Sequence, residues 1–249
     1  MICAFPYQRK NALGHWESFP CGRCAPCRVA KAAEWSVRMV HESEEFPGSA
    51  FLTLTYESDE QLSLDKSHLQ KFFKRLRKSG VELKYYACGE YGGATFRPHY
   101  HVCIFYSGDL GFRSDPTLGR SNGRMAAWPF GLVNFGVFSA SSARYTADYL
   151  LKAVGVEYPA FLESPFRLVS TGLGKRFFER NRVQIEKFGV TLNGVHKPVS
   201  RYYKDRFSEE AKLELKREAL SREDSWTLAK GIQADKNVRA RQALFRTED

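Results

Sequence analysis

No stretch of this chain approaches the roughly 20 uninterrupted apolar residues that a membrane-spanning helix needs. The opening residues, Met1 to Lys10, lack the apolar centre of a secretory signal, so a cytosolic location with no membrane partner is expected. A Walker loop is also missing. Thr171-Gly172-Leu173-Gly174-Lys175-Arg176 has glycines and a lysine but not the G-x-x-x-x-G-K-[ST] spacing, which excludes a nucleoside triphosphatase of that type. There is no helicase motif and no internal repeat. Acidic residues are in deficit, 28 against 38 lysines and arginines, and the resulting formal charge of +10 favours a polyanionic partner whose counterions are released on binding. Cysteine is limited to six residues. In a reducing cytosol clustered thiols bind metal or stay free rather than form disulfides.

What is present suits one catalytic domain with appendages, or at most two small domains, in 249 residues. The hydrophobic share of 43% supplies a core, and aromatics at 14% supply both core rings and rings able to stack on unpaired bases. The segment to Cys27 is rich in cysteine, proline and glycine and reads as loop. Residues 28–41 read as a helix with a basic side, and 51–56 as a strand rich in threonine and aromatics. A helix is expected over 65–79, capped by Ser63 or Asp65, with Leu69, Phe72, Phe73 and Leu76 as its buried stripe. Its other face carries Lys71, Lys74 and Arg75 among further basic residues. Residues 83–91 and 99–106 read as successive antiparallel strands, 108–129 as a long loop or insertion, and 132–138 as another strand. Ser141 or Ser142 is the expected cap of a following helix that Gly155 ends. This order suggests an α+β sheet layered with helices. The expected divisions are an arm and basic helix (1–45), a core (46–158), a mixed extension (159–205) and a charged, partly helical tail (206–249).

Two runs carry chemistry. In Arg97-Pro98-His99-Tyr100-His101-Val102-Cys103-Ile104-Phe105 the strand period of two sends His99 and His101 from one face, where two imidazoles can grip one ion. Glu90, near the end of the preceding strand, is the candidate third ligand, and its hard oxygen suits Mg2+ or Mn2+ acting on a phosphate. In the second run, spacings of four and three place Tyr145, Tyr149 and Lys152 on one side of a helix. A phenol is a weak nucleophile at neutral pH without a metal, a cation or a proton acceptor beside it. Arg97 either meets a phosphate or pairs with Glu90 or Glu57. Cys21-x-x-Cys24-x-x-Cys27 offers three thiolates to a structural zinc that wants four ligands. Either Cys3 or His15 completes the set, or the thiols remain free. Cys88 and Cys103 fall in core strands, and His41, His68 and His196 are expected on surfaces without partners.

Taken with Pro20-Cys21-Gly22-Arg23-Cys24-x-x-Cys27-Arg28, Phe51-Leu52-Thr53-Leu54-Thr55-Tyr56 and Gly89-Glu90-Tyr91-Gly92, these runs resemble the HUH endonucleases. Those are the rolling-circle replication initiators, relaxases and related transposases. The chain is similar in particular to the initiators of small single-stranded DNA phages, the microviruses of the gokushovirus type, over roughly residues 1 to 175. The resemblance implies a ferredoxin- or RRM-like core and a site-specific nickase and ligase acting on single-stranded DNA at a replication origin. It makes Tyr149, in Tyr149-x-x-Lys152, the principal nucleophile that forms a 5′-phosphotyrosyl link, and Tyr145 the second. It places Thr53 and Thr55 on the family's first motif strand, for DNA binding or fold geometry. With no helicase motif in the chain, a host helicase and polymerase are expected as partners in the bacterial cytoplasm. A tyrosine transposase or plasmid relaxase is the alternative enzyme. A non-catalytic, zinc-containing nucleic-acid-binding protein is the alternative outside enzymes.

Overall fold

The computed structural model describes residues 3–246 except 13, 15, 59, 94, 120, 153–157 and 222–227. The side chains of 150–152, 218–221, 228, 229 and 241–246 also lie outside the description. Gly155, His15 and the Lys152 side chain therefore fall outside the described residues. In chain order the first elements are β1 (Tyr7–Lys10), β2 (Trp16–Phe19), α1 (Ala25–Ser43), β3 (Gly48–Thr55), α2 (Lys66–Lys78), β4 (Glu82–Tyr91) and β5 (Pro98–Ser107). Next come β6 (Phe112–Ser114), β7 (Asn122–Met125), β8 (Trp128–Val137), α3 (Ala140–Lys152), β9 (Phe166–Val169) and α4 (Lys175–Phe188). Last are β10 (Val190–Leu192), β11 (Val195–Lys197), α5 (Arg201–Lys204), α6 (Glu209–Ser221) and α7 (Leu228–Arg246). No described helix is long and apolar enough to cross a membrane.

The chain divides into two compact units, Trp35–Asn181 and a second made of Met1–Glu34 with Arg182–Asp249. One boundary falls where α4 kinks at Asn181, whose φ of −109° and ψ of 18° are not helical. The 35–181 unit is α+β. It is built on a seven-stranded antiparallel sheet in the order β6-β7-β8-β3-β5-β4-β9. Strand alternation sorts its residues to two faces. On one face Leu52 and Leu54 of β3 and Tyr100, Val102 and Ile104 of β5 join Trp128 and the α2 stripe Leu69, Phe72, Phe73 and Leu76 in the main core. Each such side chain contributes about 1.5–3 kcal/mol when removed from water. Helix α2 starts where Asp65 Oδ1 accepts the Ser67 N–H at 2.7 Å. On the other face lie Phe51 and Thr53 of β3, Tyr86, Cys88 and Glu90 of β4, and His99, His101 and Cys103 of β5. Trp35 of α1 tilts against Tyr86 at 5.5 Å, and Thr146 of α3 meets Cys103 Sγ at 3.3 Å. Strand β8 passes tightly beside β3. A Cβ on Gly131 would stand 2.3 Å from the Thr55 carbonyl oxygen, so no larger residue fits there.

Several expectations need correction. Residues 108–129 are not loop: they hold the β6–β7 hairpin and the start of β8. Strands of three and four residues, half exposed, are too short to display the period-two pattern from which strands are read. The cap of α3 is Ser139. Its N–H donates to Ser142 Oγ at 2.8 Å while Ser142 N–H donates to Ser139 Oγ at 3.1 Å, a reciprocal box in which Ser142 is the inner member. His41 is buried and stacked on Phe177 at 3.8 Å between ring centres. Burial pushes its pKa down to about 4. His68 also has a partner, because its Nδ1 lies 2.8 Å from the Tyr56 hydroxyl, itself 2.8 Å from that of Tyr100. His196 is exposed as expected.

Candidate active site

Strand register builds the centre. Glu90 of β4 sits directly opposite His99 of β5, and His101, two residues on, leaves the same face between Cys88 and Thr53. Both imidazoles aim Nε2 at one carboxylate oxygen: His99 Nε2 is 2.7 Å and His101 Nε2 is 3.0 Å from Glu90 Oε1. The three donor atoms lie within 4.8 Å of one another. Glu90 and His101 are buried and His99 half-buried.

The opposite ring nitrogens are each held by a neighbour. His99 Nδ1 is 3.2 Å from the Arg97 carbonyl oxygen, which can only accept, so the proton sits on Nδ1 and Nε2 faces the carboxylate. His101 Nδ1 is 3.1 Å from Thr53 Oγ1. Such outer hydrogen bonds orient imidazoles that bind a metal. Burial works against a charged His99, but the Glu90 carboxylate and the Arg97 carbonyl outweigh it and hold its pKa above the usual histidine range. One oxygen and two imidazole nitrogens fit a divalent cation with room left for other ligands.

Helix α3 lays both tyrosines over this centre. The Tyr149 ring stacks on His101 with centres 4.9 Å apart and planes 27° apart, and Tyr145 meets His101 edge-on at 5.5 Å. The two phenol oxygens hydrogen-bond to each other. Tyr145 is 41% exposed. Lys152 closes α3, and its side chain is outside the described residues.

The remaining candidates make other contacts. Thr55 Oγ1 donates to the Leu132 carbonyl at 3.3 Å, and Arg97 Nη2 to the Tyr56 carbonyl at 3.2 Å. Glu57 instead holds Arg124 through both oxygens, at 2.8 and 2.9 Å. Lys71 and Lys74 are exposed on α2, which covers the face of the sheet opposite the triad, and Arg75 donates to the Ala127 carbonyl at 3.1 Å. The four thiols Cys3, Cys21, Cys24 and Cys27 form a second metal-competent group within 4.8 Å, in the other unit. Cys88 and Cys103 are buried, and burial pushes the Cys103 thiol up to about 12.

Sequence reasoning passes over three further residues. Phe51 stacks parallel on His101 at 5.4 Å, a position readable from its place two residues before Thr53 on the same face. Asp148 accepts from Arg144 Nε at 2.6 Å, the i,i+4 spacing being its signal. Burial, opposed by Arg144, raises the Asp148 pKa. Phe96, in the β4–β5 loop, is 62% exposed and takes a left-handed φ of 53° that only the folded turn reveals.

A family model described as a replication-associated protein of the ORF2 type matches residues 49–154, a span that encloses Thr53, Glu90, His99, His101, Tyr145 and Tyr149. The chain is 35% identical over 208 residues to replication-associated protein ORF2 of Spiroplasma virus 4, covering 75% of this chain and 65% of that protein. It is 32% identical over 241 residues to replication-associated protein VP4 of Bdellovibrio phage phiMH2K, covering 82% and 75%. With replication-associated protein ORF4 of Chlamydia phage 1 it shares 28% over 209 residues, covering 75% and 52%. The chain thus spans just under two thirds of the first of these proteins and about half of the last. No solved structure matches it.

Proposed function

The chain belongs to the family of phage replication-associated proteins, and from that membership we propose that it is a site-specific nickase and ligase of single-stranded DNA that initiates rolling-circle replication. The observation that carries this reading is the stacking of Tyr149 on His101, one of two imidazoles converging on Glu90. Glu90, His99 and His101 would hold Mg2+ or Mn2+. When bound, such an ion polarises a phosphodiester and draws off negative charge.

The residues of the chain supply the rest. Thr53 and the Arg97 carbonyl keep the two imidazoles turned inward. Tyr149 attacks the scissile phosphorus: the bond from its oxygen to phosphorus forms, the bond to the 3′-oxygen breaks, the phenol releases its proton and the 3′-oxygen gains one. One phosphate ester replaces another, so the 5′-phosphotyrosyl link conserves the energy needed to reseal the strand. The hydrogen bond between the two phenols disperses charge on whichever oxygen is attacking. Tyr145, one turn earlier, serves as the nucleophile for the second cut. Phe96 offers an exposed ring to an unpaired base, and the basic face of α2 meets phosphates away from the cut. Unwinding and synthesis fall to host helicase and polymerase in the bacterial cytoplasm.

The test incubates the purified protein with single-stranded origin DNA and Mn2+ or Mg2+ and maps any covalent adduct by mass spectrometry. A chelator-sensitive adduct on Tyr149 or Tyr145, absent from the Tyr145→Phe/Tyr149→Phe double variant, is expected. Tight DNA binding with no adduct under either metal would replace this reading with a non-catalytic binder.

A further inference from the structure

The unit made of Met1–Glu34 and Arg182–Asp249 holds a feature that cleavage chemistry does not use. Strands β1 and β2 form a two-stranded ribbon exposed along its whole length, with Tyr7 opposite Phe19 and Lys10 opposite Trp16. Four-residue strands paired only with each other are marginal in water. Something must hold the ribbon's open end. Cys3 lies four residues before β1 and Cys21 two residues after β2, while Cys24 and Cys27 flank the first turn of α1.

The sulfurs have the spacing of a shared ion. Four thiolates 2.3 Å from one zinc occupy tetrahedral corners about 3.8 Å apart. Cys3 Sγ and Cys24 Sγ are 3.8 Å apart, all four sulfurs lie within 4.8 Å, and none is in a disulfide. Backbone amides are aimed at them. Ala4 N–H donates to Cys24 Sγ at 3.4 Å and Cys21 N–H to Cys3 Sγ at 3.3 Å. The Arg23 and Cys24 N–H groups both donate to Cys21 Sγ at 3.4 Å. Donors of this kind stabilise thiolates and fix ligand orientation.

Helix α7 rests on the same pieces of chain. Gly231 lies so close that a Cβ there would stand 2.7 Å from the Ala4 carbonyl oxygen and 3.0 Å from that of Cys3. One turn on, buried Asp235 accepts the Ala25 N–H at 2.9 Å, capping α1 from more than two hundred residues away, and is held by Arg239 Nε at 2.5 Å. The contacts of α7 therefore fall on Cys3–Ala4 and on the residue that follows Cys24.

We infer that Cys3, Cys21, Cys24 and Cys27 bind one zinc ion, which closes the base of the β1–β2 ribbon and seats α7 on the start of α1. Each ligating thiol gives its proton to solvent, and no oxidant or reductant takes part. The inference is independent of the nickase reading.

Metal analysis of the desalted full chain is expected to find one zinc per molecule. Exchange with Co2+ is expected to give thiolate charge-transfer bands, which a metal held at Glu90, His99 and His101 does not produce. Chelation should open Cys3, Cys21, Cys24 and Cys27 to iodoacetamide while Cys88 and Cys103 stay shielded. It should also speed tryptic cleavage at Lys10 and Lys236 about tenfold or more, and Cys3→Ser should weaken zinc retention by a similar factor. Equal alkylation of the four thiols with and without chelator, or their recovery as disulfides from freshly reduced protein, would overturn the site. Unchanged cleavage at Lys236 after zinc removal would overturn the seating of α7.

Discussion

The two faces of the central sheet are made by alternate residues of the same strands, yet one is almost wholly apolar and the other carries the proposed metal ligands, under the two tyrosines of α3. Leu54 and Thr53 are neighbours on β3. Leu54 is fully buried in the core under α2, while Thr53 turns the other way and binds His101. Tyr100 points with Leu54, and His99 and His101 point with Thr53. Stability and chemistry are thus interleaved at a spacing of one residue. The apolar face holds the strand register, and the register holds the triad.

This division can be broken in order of expected effect. Glu90→Gln should abolish metal-dependent adduct formation, read by gel and mass spectrometry, while the thermal transition stays close to that of the parent. A collapse of the fold would show that the polar face also carries stability. Leu54→Ala should do the reverse: a loss of about 2–5 kcal/mol in urea unfolding, with unchanged metal affinity in whatever fraction remains folded. Next comes His41, a buried base stacked on Phe177. Its folded pKa of about 4 lies below the unfolded value near 6.5, so protonation favours the unfolded chain. The stability it contributes is complete above pH 6.5 and is lost as pH falls towards 4, in all about 3 kcal/mol. Unfolding free energies measured between pH 7 and 4 should fall steeply in the parent and less in His41→Phe; parallel slopes would remove His41 from the account. The smallest effect sharpens the comparison most. Thr53→Val should weaken metal binding by about 10–100-fold, measured by titration calorimetry, with little change in stability beside Leu54→Ala.

Much of this architecture is legible in the sequence because it obeys local periods. The α2 stripe follows a 3.6-residue repeat, and β5 alternates cleanly enough to place His99 and His101 on one face. Glu90 follows from the hairpin that pairs it with His99. Most of the failures come from partnership across distance or from too little length. His41 meets Phe177 and His68 meets Tyr56 through tertiary folding that spacing does not encode. Strands β6 and β7 are too short to show a period. The α3 cap is hidden because Ser139, Ser141 and Ser142 are chemically alike, and only the reciprocal bonds of Ser139 and Ser142 distinguish them.

Strand β5 is paired along both edges, to β3 and β4, and covered on both faces. It therefore offers descent almost nothing to vary. Freedom to vary lies elsewhere: in the loop that carries Phe96, whose ring is exposed, and in the short β6–β7 hairpin at the sheet's margin. The strand that brings His99 and His101 together is locked by its neighbours, and the exposed loop and the sheet margin are left open to drift.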